Sequence, residues 1–95
     1  MSAATEHLRL TILRMLAGAQ GYSANSSMIH SVTTEFGIGA TRDQIRTELA
    51  WLAEQGLIST KDVATVVVAR ITDRGLDVAD GRAIQPGVQR PSPGG

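Results

Sequence analysis

Arg42 and Arg46 are the residues whose type and spacing most invite a chemical reading. They are two permanently charged guanidinium groups one helical turn apart, followed by Thr47, inside the stretch TRDQIRTELAWLAEQGLI. Groups placed in this way can grip phosphate oxygens or the acceptor edge of guanine. Counting about 100° per residue from the apolar stripe Ile45, Leu49 and Leu52 turns Asp43, Arg46, Thr47, Ala50 and Glu54 to solvent, with Arg42 on the shoulder. The competing expectation is a solvated face held by intrahelical ion pairs. It explains the arginines poorly, because Arg42 and Glu48 are out of register and Ala50 stands four residues after Arg46. Asp43 and Glu54 on the same face would oppose a phosphate backbone.

Groups suited to catalysis are sparse. His7 and His30 fall on different expected helices with no metal-ligand spacing between them, and the chain has no nucleophile elbow, glycine-rich phosphate loop or paired-carboxylate motif. Ser23, Ser26 and Ser27 stand near His30, the composition of a nucleophile with its base. Their place at a helix start makes capping the expected role. The absence of cysteine removes thiolate metal sites, thiol nucleophiles and disulfides together. The expectation is a protein that is not an enzyme and uses neither metal nor cofactor.

The arginine pair needs a rigid carrier, and the local sequence supplies one. Thr41 is suited to cap a helix, Gln44 stands where a capping box places Glu or Gln, and Gly56 suits the helix end. Upstream, Leu8, Ile12, Met15, Leu16 and Ala19 predict a first helix from about Thr5 to Ala19. A second apolar stripe, Leu10, Leu13 and Ala17, lies on its other side, so a cover is expected there: a symmetry mate or the chain's own C-terminal segment. Tyr22 and Ser23 suit a very short strand. Asn25 caps a second helix, Ser26 to Phe36, whose buried stripe is expected to be Met28, Ile29, Val32 and Phe36.

After Gly56 the pattern predicts strands Leu57 to Lys61 and Val66 to Ile71 around a turn at Asp62 to Thr65. Thr72 caps a last helix to about Asp80. Arg70 and Arg74 would add phosphate contacts only if the start of the last helix faces the duplex; the competing expectation is surface pairing with Asp73 or Asp77. Trp51 falls on the flank of the Thr41 helix beside Gln44 and Gln55, either packed against the chain itself or anchoring a dimer or partner interface. From Gly81 onward, Pro86, Pro91 and Pro93 with Gly87, Gly94 and Gly95 exclude another helix, and the tail is extended unless it docks.

A chain of 95 residues with one Trp, one Tyr and one Phe allows a single modest core of Leu, Ile, Val and Ala. Nine Lys and Arg balance nine Asp and Glu, an awkward ratio for a protein that would bind so anionic a ligand as nucleic acid. Residues 81–95 carry Arg82 and Arg90 and no acid, so the body, 1–80, is mildly acidic. Lys61 beside Asp62 makes the hairpin turn a weak groove probe. No apolar run approaches the ~20 residues of a membrane span, and the N-terminus lacks the blocks of a signal peptide. A soluble intracellular protein without membrane association is expected.

The order helix, short strand, helix, helix, hairpin, helix resembles the winged helix-turn-helix fold. That fold is mainly α with a small β-hairpin (α-β-α-α-β-β-α), here over residues 1–80, followed by an extended Pro/Gly-rich tail, 81–95. Ile71-Thr72-Asp73-Arg74-Gly75-Leu76 resembles the L-T-x-x-G that follows the wing in bacterial regulators of the multiple-antibiotic-resistance and arsenic-repressor types. LRLTILRML, GYSAN, TRDQIRTELAWLAEQGLI, VVVARITDRGLDVADGRA and PGVQRPSP together resemble a family of small proteins of Mu-like bacteriophages and prophages, commonly labelled arsenic-repressor-type (ArsR-like) transcriptional regulators. The resemblance covers nearly the whole chain. It implies a phage or prophage transcriptional regulator; joined to the outward face of the Thr41 helix, the expectation is a homodimer in the cytoplasm of a bacterial host that binds double-stranded DNA, with Arg42, Arg46 and Thr47 as contacts and Lys61 in support. Such genes tend to lie near head and DNA-packaging genes, so the alternative is an adaptor for a phage or host protein, using the Leu10, Leu13 and Ala17 stripe, Trp51 or the tail.

Overall fold

The computed structural model describes residues 2–92. The lead-in residue Met1 and the tail residues Pro93, Gly94 and Gly95 lie outside the described residues. Helix α1 (Ala3–Gly18) begins two residues earlier than its periodicity predicts, because the Ser2 hydroxyl caps it by accepting from Thr5 N at 3.1 Å. A 3-10 turn, Gln20–Tyr22, leads into β1 (Ser23–Asn25). Asn25 then caps α2 (Ser26–Glu35), its side-chain oxygen accepting from Met28 N at 2.8 Å. Helix α3 (Arg42–Glu54) starts on a complete capping box: Gln44 N donates to Thr41 Oγ1 at 3.1 Å while Thr41 N donates to Gln44 Oε1 at 2.8 Å. Strands β2 (Ile58–Val63) and β3 (Val66–Ile71) and helix α4 (Asp73–Asp80) complete the order.

The three strands form one antiparallel sheet in the order β1-β3-β2, with Ala69 of β3 opposite Ala24 on one side and Thr60 on the other. The described residues therefore form a mixed domain of four α-helices and a small sheet. Its core is aliphatic, as the composition requires. Ile12, Leu13 and Leu16 of α1, Ile29 of α2 and Ile45, Leu49 and Leu52 of α3 are buried together with Ala69 and Ile71 of β3.

The Thr72-Asp73-Arg74-Gly75 segment has a packing explanation. Thr72 Oγ1 accepts from Gly75 N at 3.1 Å and donates to Gly56 O at 2.7 Å, joining the start of α4 to the end of α3. Gly75 is needed for close approach: a Cβ there would stand 2.1 Å from Leu57 O and 2.6 Å from Ile71 Cγ1. Only a residue without a side chain lets α4 lie on the strand that leaves α3.

Three expectations are corrected. The inward face of α2 is Ser26, Ile29 and Thr33, so Met28 and Phe36 turn outward, 56% and 68% exposed. The polar members of that inward face are satisfied locally, with Thr33 Oγ1 donating to Ile29 O and Ser26 Oγ accepting from Val67 N, both at 3.0 Å. The hairpin is tighter than the expected Asp62 to Thr65 turn. Asp62 and Val63 extend β2, Val63 pairs with Val66, and the loop is Ala64 and Thr65 alone, with Ala64 at φ 53°. Arg74 does not pair with Asp73 or Asp77; its Nη2 donates to Gln85 Oε1.

Candidate nucleic-acid interface

The capping box fixes where α3 begins, and its buried stripe of Ile45, Leu49 and Leu52 fixes which face it shows. Arg42, Asp43, Arg46, Thr47, Ala50 and Glu54 are all exposed, as the helical periodicity predicts. Arg42 and Arg46 share a cleft of about 230 Å³ with Ser26 and Ser27 at the start of α2 and with Thr65 and Val66 at the hairpin. Arg46 is not a loose side chain. Its Nη2 donates to the Thr65 carbonyl, which ties α3 to the hairpin loop. Two cations and the Ser27 hydroxyl at a helix start make a site that suits an anionic oxygen.

Lys61 and Thr47 are exposed but stand outside this cleft. Lys61 is opposite Val68 and Ser59 is opposite Arg70. By strand alternation Lys61 and Arg70 share the outer face of the sheet, away from the side where Ile58, Ala69 and Ile71 are buried. The structure thus brings together two of the four residues assigned to DNA and leaves two at the periphery.

The residues assigned to an interface are placed differently. Leu10 and Leu13 are 4% and 0% exposed within the single chain, so the second stripe of α1 offers no free surface to another molecule. Ala17 and Trp51 are half-buried. The C-terminal segment runs beside Leu10, where Gln89, Arg90 and Ser92 line a shallow site with it, and α4 packs on α1 as well.

That docking is specific. Gln85-Pro86-Gly87-Val88 forms a turn closed by Val88 N donating to Gln85 O at 3.0 Å, and Gly87 sits at φ 95°. Proline second and a left-handed glycine third is the type II pattern. Val88 is buried, Gln89 N donates to Glu6 O at 3.2 Å, and His7 Nδ1 donates to Gln89 Oε1 at 2.8 Å.

Sequence reasoning missed the residue that holds the tail. Arg9 is buried, with Nε donating to Glu48 Oε1 at 2.6 Å and Nη1 to Gly87 O at 3.0 Å, and its guanidinium lies over the Trp51 ring. A signal was present: Arg9 stands four and seven residues before Leu13 and Leu16, on a buried stripe where a cation requires a carboxylate partner. Glu48 and Trp51, three apart on α3, supply the carboxylate and an aromatic face.

No family model matches the chain. It is, however, 40% identical over 89 residues to the uncharacterized protein gp26 of Escherichia phage Mu, a match covering 94% of this chain and 92% of that protein. The chain belongs to the gp26 family of phage Mu. A second relative is an uncharacterized protein of Haemophilus influenzae, 42% identical over 73 residues, which are 76% of this chain and 71% of that one. The gp26 match leaves so little of this chain outside it that it must extend from the helical body into the tail. Family membership is thus phage-related, and neither relative's name includes an arsenic repressor or a winged helix.

Proposed function

We propose that this gp26-family chain is a winged helix-turn-helix protein that binds double-stranded DNA and acts without catalysis as a phage or prophage transcriptional regulator. The observation that carries the reading is the cleft where Arg42 and Arg46 of α3 meet the start of α2 and the hairpin loop. In this reading α2 and α3 are the two helices of the motif, α3 enters the major groove, and β2 with β3 is the wing. Arg46, held by Thr65, meets a phosphate where the groove wall passes the wing, and Arg42 meets a base edge or the next phosphate. Thr47 and Lys61 sit at the rim as secondary contacts. The assembly is a homodimer, which matches two half-sites related by a two-fold axis.

Arg46→Ala tests the assignment directly. Removing one phosphate contact weakens binding to all sequences alike and lowers the slope of log K against log salt by about 0.9. Unchanged affinity and slope would remove Arg46 from the site. The equality of cations and acids favours a second reading, a protein adaptor in head assembly, DNA packaging or transcription that does not itself touch DNA. In that case wild type and Arg46→Ala both fail to bind duplex at low salt.

A further inference from the structure

Asp43 is the residue of the α3 face that phosphate binding does not explain. It stands exposed in the first turn of the helix, between Arg42 and Arg46 in the chain. At about 100° per residue, the direction opposite the buried Ile45, Leu49 and Leu52 stripe lies within about 50° of Asp43, Thr47, Ala50 and Glu54, and about 90° from Arg46. The arginines therefore occupy the flank, where both line the cleft beside the hairpin, and neither Asp43 nor Thr47 does. The crest of the helix is acidic and neutral. We infer that Asp43 is the specificity-determining residue of this face, its carboxylate accepting a hydrogen bond from the amino group of a cytosine in the major groove. The inference rests on the proposal that α3 enters that groove.

Two observations select Asp43. Its side chain is unspent, with no ion pair or hydrogen bond among the described residues. Thr47, one turn further along the same crest, is equally unspent, whereas the hydroxyls of Thr11, Thr33 and Thr34 each donate to the carbonyl four residues earlier. Position along the helix is the second. The N-terminal residues of a recognition helix are those that reach base edges. Asp43 is the second residue of α3, while Glu54, the other acid on the crest, is the last, about 16 Å further on at 1.5 Å per residue.

Electrostatics then sets what Asp43 meets. A carboxylate is repelled by phosphate and by every acceptor on the groove floor, so it is tolerated only against an amino donor. The major groove offers two, cytosine N4 and adenine N6. Adenine's amino group lies between its own N7 and thymine O4, both acceptors, whereas cytosine's has an acceptor, guanine O6, on one side alone. Cytosine is the base that fits. An acid in the first turn also favours the helix dipole, but that structural role makes no demand on the DNA sequence.

Selection of random-core duplexes by the full chain at low salt, followed by sequencing of the retained pool, tests this. The expected wild-type motif contains a C·G pair preferred about tenfold or more over any other pair. With Asp43→Ala that single position relaxes, the rest of the motif is kept, and affinity for an unrelated duplex does not fall, since a repulsive charge has gone. With Asp43→Asn the preference at the same position moves to A·T, because an amide can bond adenine N6 and N7 together. This near-isosteric variant also carries the test should the alanine variant fold poorly. A motif that both variants leave unchanged, or wild-type retention of duplex with no motif, overturns the inference while leaving DNA binding by Arg42 and Arg46 in place. A wild-type preference for adenine at the position that Asp43→Ala relaxes overturns the cytosine assignment. A wild-type chain that retains no duplex at all overturns this inference and the DNA-binding proposal together.

Discussion

The Arg9 guanidinium carbon lies 3.6 Å from the centroid of the Trp51 ring, and the same arginine reaches Glu48 and the carbonyl of Gly87. One buried cation thus joins α1, α3 and the C-terminal tail. Because Glu48 and Trp51 sit on the helix that carries Arg42 and Arg46, this junction also helps hold the arginine-bearing face in place.

Breaking that junction from one side leaves a charge stranded in the interior. Arg9→Leu and Glu48→Leu should each cost about 3 kcal/mol of unfolding free energy in urea titrations. The double variant should cost clearly less than the two losses added, because it strands neither charge. Strict additivity would mean that the pair is not coupled.

Gly87 is the tail's point of contact with Trp51, and a Cβ there would stand 2.8 Å from the ring at a φ of 95°. Gly87→Ala should lower stability by about 1–3 kcal/mol through overpacking and backbone strain. Since Trp51 is the single tryptophan, its emission reports the undocking directly. A red shift in the folded variant is expected, and an unchanged spectrum with unchanged stability would show that the tail does not hold this position.

Legibility in the sequence followed the range of the interactions. The caps at Asn25, Thr41 and Thr72 could be read because each is closed within three residues. The face of α3 could be read because one apolar stripe, Ile45, Leu49 and Leu52, dominates it. Helix α2 misled because its inward positions include Ser26 and Thr33, whose hydrogen bonds within the chain make burial cheap, while Met28 and Phe36 present a false stripe at helical spacing. The cover over Leu10 was open between the tail and a second copy, and local sequence could not decide it. The deciding contacts, Gln89 to Glu6 and Gly87 to Arg9, join residues some eighty positions apart.

The hairpin loop stores a small strain. Ala64 occupies the left-handed region at φ 53°, which costs a residue with a Cβ about 1–2 kcal/mol. Ala64→Gly should therefore stabilise the protein by about 0.5–1 kcal/mol after the unfolded-state entropy of glycine is offset. The check is a rise in thermal midpoint with the sheet registry intact. A fall would mean that the loop relaxes in solution.

The salt dependence of binding to duplex DNA tests the central claim most directly. If Arg42 and Arg46 neutralise phosphates, log K for the wild-type chain falls linearly with log salt, and Arg42→Ala/Arg46→Ala lowers the slope by up to about 1.8 per protomer. The fold of that double variant should be intact because both side chains are exposed. Wild-type binding that is absent at low salt, or a slope that the double variant leaves unchanged, would contradict the assignment of this cleft to DNA.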